Sequence, residues 1–208
     1  MIQVKICGIT TGADARAAVE AGADALGFNF WRRSVRYISP QAARRIIEEL
    51  PEGVLPVGVF VNVREPERLA RIASEAGVRA VQLHGDETPD YCRRLVGQTI
   101  IKALRVGDDF EPESAATFGA SAVLLDAFSK AGRGGTGETF DWSIARRVRA
   151  LVPQLYLAGG LTPENVPEAI AAVEPFAVDV CSGVESAPAR KDHARIRAFI
   201  RAVRGASA

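Results

Sequence analysis

Cys7 closes a short apolar run and precedes a glycine, in Val4-Lys5-Ile6-Cys7-Gly8. Alternate side chains of a strand share a face, so Lys5 and Cys7 point one way and Val4 and Ile6 the other. A thiol and an ammonium on one face of a buried strand are costly to desolvate. The placement therefore marks Cys7 for chemistry, as a thiolate activated by a nearby cation. Other proton-moving groups recur in similar runs: His84 after Val81-Gln82-Leu83, Asp126 after Leu124-Leu125, and Asp179 in Val178-Asp179-Val180. Asp126 is a candidate general acid and His84 a candidate base. Lys5 and Lys102 are candidate imine-forming amines.

Two glycine turns point to a phosphate. Gly159-Gly160 follows the run Leu155-Tyr156-Leu157-Ala158, and Ser182-Gly183 follows Val180-Cys181. Glycine lets backbone N–H groups approach phosphate oxygens closely. Arg36 stands in a loop that also holds Trp31. A guanidinium can grip a carboxylate with two parallel hydrogen bonds, and an aromatic wall can face an aryl ring. Ser129-Lys130-Ala131-Gly132-Arg133-Gly134-Gly135-Thr136-Gly137-Glu138 follows Asp126 closely and reads as a lid.

Positioning these groups requires a regular frame. Eight apolar runs, near 2–7, 24–29, 55–61, 79–83, 100–104, 121–125, 154–158 and 176–181, alternate with amphipathic helical patterns. The helices are expected at 14–21, 40–50, 66–76, 89–96, 141–151, 163–173 and 192–203, with a weaker one at 111–118. Gly22, Gly77, Gly97 and Gly119 are placed to end helices. An open doubly wound sheet calls for a GxGxxG turn after its first strand. Here that turn is Cys7-Gly8-Ile9-Thr10-Thr11-Gly12. An α/β fold of one compact domain over 1–208 is expected, a parallel eight-stranded (βα)8 TIM barrel. Its active site forms at the carboxyl ends of the strands, with phosphate loops after strands seven and eight. Gln82, His84 and Asp179 then join Arg36 as expected substrate-binding positions, and Gly159, Gly160, Ser182 and Gly183 as phosphate-binding ones.

With 208 residues, 48% hydrophobic and 25% charged, the chain is long enough for one well-buried core. A net charge of +1 provides no field for nucleic acid. No apolar stretch approaches the roughly 20 residues a bilayer requires, and the first residues lack a signal-peptide layout. Three cysteines without CxxC spacing argue against a disulfide framework or a zinc site. A soluble cytoplasmic protein is expected, monomer or homodimer, with no metal, no nucleic acid and no membrane partner.

The segments Val4-Lys5-Ile6-Cys7-Gly8-Ile9-Thr10, Gly58-Val59-Phe60-Val61-Asn62, Val81-Gln82-Leu83-His84-Gly85, Leu124-Leu125-Asp126, Gly134-Gly135-Thr136-Gly137, Thr139-Phe140-Asp141-Trp142, Ala158-Gly159-Gly160-Leu161 and Asp179-Val180-Cys181-Ser182-Gly183-Val184-Glu185 closely resemble the phosphoribosylanthranilate isomerase family, in order and over nearly the whole chain. The resemblance implies a (βα)8 barrel that needs no cofactor. It implies an Amadori rearrangement of N-(5'-phosphoribosyl)anthranilate to 1-(2-carboxyphenylamino)-1-deoxyribulose 5-phosphate in tryptophan biosynthesis. It assigns Cys7 as general base, Asp126 as general acid, Arg36 to the anthranilate, and both glycine turns to the phosphate. Val35 and Cys181 depart from the family's usual residues. A related histidine-pathway isomerase would end its first strand in aspartate, which Cys7 argues against. A redox protein using Cys7 would need a resolving thiol, for which Cys181 is placed.

Overall fold

In a computed structural model, residues 1–107, 109–126 and 142–206 are described. Eight parallel strands close on themselves in sequence order, β8 pairing with β1. They are β1 (Gln3–Cys7), β2 (Ala25–Asn29), β3 (Leu55–Phe60), β4 (Ala80–Leu83), β5 (Thr99–Arg105), β6 (Ala122–Asp126), β7 (Leu155–Ala158) and β8 (Ala177–Val180). The outer layer holds α1 (Gly12–Ala21), α2 (Pro40–Ile47), α3 (Pro66–Ala76), α4 (Pro89–Arg94), α5 (Trp142–Arg149), α6 (Val166–Val173) and α7 (His193–Ala206). The expected barrel is thus observed. The expected lid at 129–138 lies outside the described residues. Among the described residues no helix is long and apolar enough to cross a membrane.

Local chemistry sets the helix starts. Thr11, Ser39 and Thr88 accept the backbone N–H three residues on, at 3.1, 3.2 and 3.2 Å. Pro40, Pro66 and Pro89 occupy first turns, where a missing N–H breaks no bond. Alternation then fixes what each strand offers. Ala25, Val57, Ala80, Ile101, Leu124 and Tyr156 belong to the cluster inside the barrel. By the same parity Lys5, Cys7, Gln82, Asp126 and Asp179 face inward. Larger apolar side chains such as Phe28, Phe199 and Ile200 fill the space between sheet and helices.

The frame departs from expectation in four places. Residues Pro112–Phe118 form a 3₁₀ helix rather than an α-helix. The start of α6 is delayed to Val166 because Asn165 Oδ1 accepts the Thr162 N–H at 2.8 Å and holds a separate turn. Gly97 (φ +78°) ends a turn beyond α4, whose own cap is Leu95. A small antiparallel hairpin, β9 (Glu185–Ala187) and β10 (Arg190–Lys191), follows the short 3₁₀ helix Ser182–Val184, with Lys191 opposite Glu185.

Candidate active site

The inward face of β1 carries the charge that sequence alternation indicates. Lys5 is fully buried, and its Nζ donates to Oδ1 of Asp179 on the paired position of β8, at 2.7 Å. Burial works against the Lys5 ammonium, but Asp179 and Cys7 outweigh it and hold it well above the ordinary lysine range. Asp179 is pushed up to about 6 by burial, against the pull of Lys5. One step along, Ile6 pairs with Val180, which sets Cys181 beside Cys7. On the other flank Cys7 pairs with Gly27, where an added Cβ would stand 2.8 Å from Cys7 Sγ and 3.1 Å from Lys5 Nζ. The missing side chain at Gly27 makes room for both groups.

Cys7 is half-buried, and its thiol titrates well below the usual range. A hydrogen bond from the Cys181 thiol is the strongest cause, and Lys5 and Lys191 add to it against burial. The same interaction with Cys7, together with burial, pushes the Cys181 thiol up, and its Sγ also lies 3.9 Å from Glu185 Oε1 and 3.8 Å from Lys191 Nζ. The departure at Cys181 therefore lies directly against the candidate base.

Arg36 sits above this corner. Its stem crosses the β1 turn, where a Cβ on Gly8 would meet Arg36 Cδ at 2.7 Å and Cys181 Sγ at 3.1 Å; Gly8 also has φ +77°. Arg36 Nε and Nη2 donate to Oε1 and Oε2 of Glu185 at 2.7 and 2.6 Å. Glu185 Oε1 also accepts from Lys191 Nζ at 3.0 Å, and that Nζ reaches the Cys181 carbonyl at 2.9 Å. Burial opposes the Glu185 charge, but Arg36 and Lys191 hold its carboxyl below the ordinary range. Sequence reasoning missed both Glu185 and Lys191, because they resemble solvated charges flanking a turn.

A second polar group faces inward from β4 and β6. The Gln82 amide Nε2 lies 2.7 Å from His84 Nδ1. With the amide in this orientation its nitrogen donates to Nδ1, which assigns the ring proton to Nε2. That nitrogen lies 3.4 Å from Asp126 Oδ2. Gln82 Oε1 is buried without a hydrogen-bond partner among the described residues. Lys102, in contrast, faces the helical layer. Its Nζ donates to the carbonyls of Leu83 (3.2 Å) and Gly85 (2.6 Å) and to Glu87 Oε2 (2.9 Å). That position, away from the barrel interior, removes it as an imine-forming amine.

The glycine turns sit against one another. Gly159 and Gly160 have φ +87° and +67°, a region that disfavours other residues. A Cβ on Gly183 would come within 1.9 Å of the Leu161 carbonyl oxygen, so the β8 loop lies directly on the β7 loop. Asn165 Nδ2 donates to the Gly160 carbonyl at 3.0 Å and braces the turn. Two cavities, of about 200 and 190 Å³, lie away from this rim. The first opens at the amino-terminal end of the barrel and the second between α1 and α2.

The family model for N-(5'phosphoribosyl)anthranilate (PRA) isomerase matches residues 4–202. The N-(5'-phosphoribosyl)anthranilate isomerase of Trichlorobacter lovleyi is 53% identical over 201 residues, 97% of each chain. The crystal structure of phosphoribosyl anthranilate isomerase from Thermotoga maritima matches with a TM-score of 0.91 at 49% identity, covering 99% of this chain and 100% of that one. Another structure of a phosphoribosyl anthranilate isomerase, in complex with reduced 1-(o-carboxyphenylamino)-1-deoxyribulose 5-phosphate, matches at 0.88 and 47%, with the same coverage. Fold, rim and sequence agree, and the chain belongs to the N-(5'-phosphoribosyl)anthranilate isomerase family.

Proposed function

We propose that this rim converts N-(5'-phosphoribosyl)anthranilate to 1-(o-carboxyphenylamino)-1-deoxyribulose 5-phosphate, the family's step in tryptophan biosynthesis. The observation that carries the reading is geometric: Cys7 stands beside Lys5 and Cys181 at the end of β1, on the rim that also bears Asp126. Asp126 in its acid form protonates the furanose ring oxygen as the C1–O bond breaks. The anilino nitrogen lone pair forms the C=N bond that replaces it. Cys7 then removes the C2 proton and becomes a thiol, and the electron pair moves into an enolamine that tautomerises to the ketone. Neither residue forms a covalent bond to the substrate.

The remaining groups orient the ligand. The Gly159–Gly160 and Ser182–Gly183 loops take the phosphate with backbone N–H groups. Arg36 takes the aryl carboxylate. The His84 Nε2–H steadies the Asp126 carboxyl group. Gln82 Oε1 offers a free acceptor to a ribose hydroxyl, and Asp179 acts from below by holding Lys5.

Fluorescence loss of phosphoribosylanthranilate measures turnover directly. Cys7→Ser and Asp126→Asn are each expected to lose at least ~100-fold in kcat, the scale of a positioned proton-transfer group, while still binding the reduced product. Near wild-type kcat in either variant would remove that residue from its role.

A further inference from the structure

We infer that Glu185 is a positioning residue for the substrate carboxylate: it occupies one edge of the Arg36 guanidinium and turns the other edge toward the ligand. The inference rests on the reading of Arg36 as the anthranilate group's partner. A guanidinium offers five N–H bonds in a fixed plane. Two of them, on Nε and Nη2, run parallel into the two oxygens of Glu185. This leaves Nη1 and the second hydrogen of Nη2, which form the end-on edge. That edge presents two parallel N–H bonds, the pattern a carboxylate accepts.

Glu185 is itself held in place. Its side chain is 4% exposed and Lys191's is fully buried, and the two are paired at 3.0 Å. Lys191 Nζ is in turn fixed by the Cys181 carbonyl. The β9–β10 hairpin sets Lys191 opposite Glu185 and so supplies the anchor. Without Glu185, the Arg36 side chain has three flexible carbons and no partner to choose its rotamer. With it, the plane of the fork is set before the ligand arrives, which lowers the ordering cost of binding. Because the Arg36 stem lies on Gly8, next to Cys7, the same fork sets where the aryl group stands relative to the base.

Titration with two ligands tests the assignment. One is the reduced product, 1-(o-carboxyphenylamino)-1-deoxyribulose 5-phosphate in reduced form; the other is its phenylamino counterpart without the carboxylate. Glu185→Gln is expected to weaken the carboxylated ligand about tenfold, equal to about 1.4 kcal/mol, and to leave the other within about twofold. Glu185→Asp keeps the charge, gives an intermediate loss, and reads the same difference if the glutamine variant does not fold. Equal weakening of both ligands, or no weakening of the carboxylated one, overturns the role of Glu185. If the wild type itself shows no preference for the carboxylated ligand, the Arg36 reading fails instead.

Discussion

Cys7 is favoured in its deprotonated form by neighbours that reach it along three routes: Cys181 beyond β8, Lys5 on its own strand, and Lys191 from the hairpin. In the proposed role Cys7 acts when deprotonated, so anything that raises its pKa is expected to move the acid limb of the rate profile to higher pH. Cys181→Ala removes the donated hydrogen bond and is expected to shift the kcat/KM profile, and the pH dependence of iodoacetamide alkylation of Cys7, alkaline. Lys5→Met is expected to shift both the same way, by less. Lys5→Met also strands Asp179 without its cation and lowers stability by about 3–5 kcal/mol, read from urea unfolding. The sequence pointed to Cys7 and Lys5 because alternation puts them on one face. The expected closure of β8 on β1 also places Cys181 near Cys7, but as a resolving thiol, since nothing in the sequence marks it as a hydrogen-bond donor. Glu185 and Lys191 carry no local pattern at all, because a three-residue strand and a two-residue strand are too short to show alternation.

Elements were more legible than contacts. Strands buried on both faces read as continuous apolar runs, and the prolines and hydroxyls at helix starts mark boundaries independently. The helix over 163–173 begins late because an asparagine side chain captures its first turn, a competition invisible to periodicity. The loop after β4 shows how an element end is held. Glu87 takes the backbone N–H groups of Asn62 (2.7 Å) and Gly85 (2.9 Å) as well as Lys102. Both charged side chains are only 2% exposed. Glu87→Ala leaves a buried ammonium and two free N–H groups, and is expected to lower unfolding stability by about 3–5 kcal/mol. Because this loop follows directly on His84, activity should fall as well, measured at a temperature where the variant remains folded.

The closed barrel joins the two ends of the chain. Arg204 on α7 donates to the Ile2 carbonyl (2.6 Å), the Gly22 carbonyl (2.9 Å) and Asp24 Oδ2 (2.9 Å), and Asp24 also accepts the Val4 N–H at 2.7 Å. Arg204→Ala is expected to lower stability by about 1–3 kcal/mol and the melting temperature accordingly, with kcat little changed. The count of eight runs implied closure, but this clasp depends on residues 180 and more positions apart and leaves no local trace. Lys5 has a consequence at the same scale. It lines the cavity of about 200 Å³ at the amino-terminal end, while its Nζ reaches up to Asp179 beneath the catalytic rim. Among the described residues a buried charged pair thus stands between that cavity and the rim, with side chains packed into the barrel around it. In the proposed reaction a filled interior leaves the rim as the shared doorway of substrate and product, so added product is expected to inhibit turnover competitively in steady-state assays.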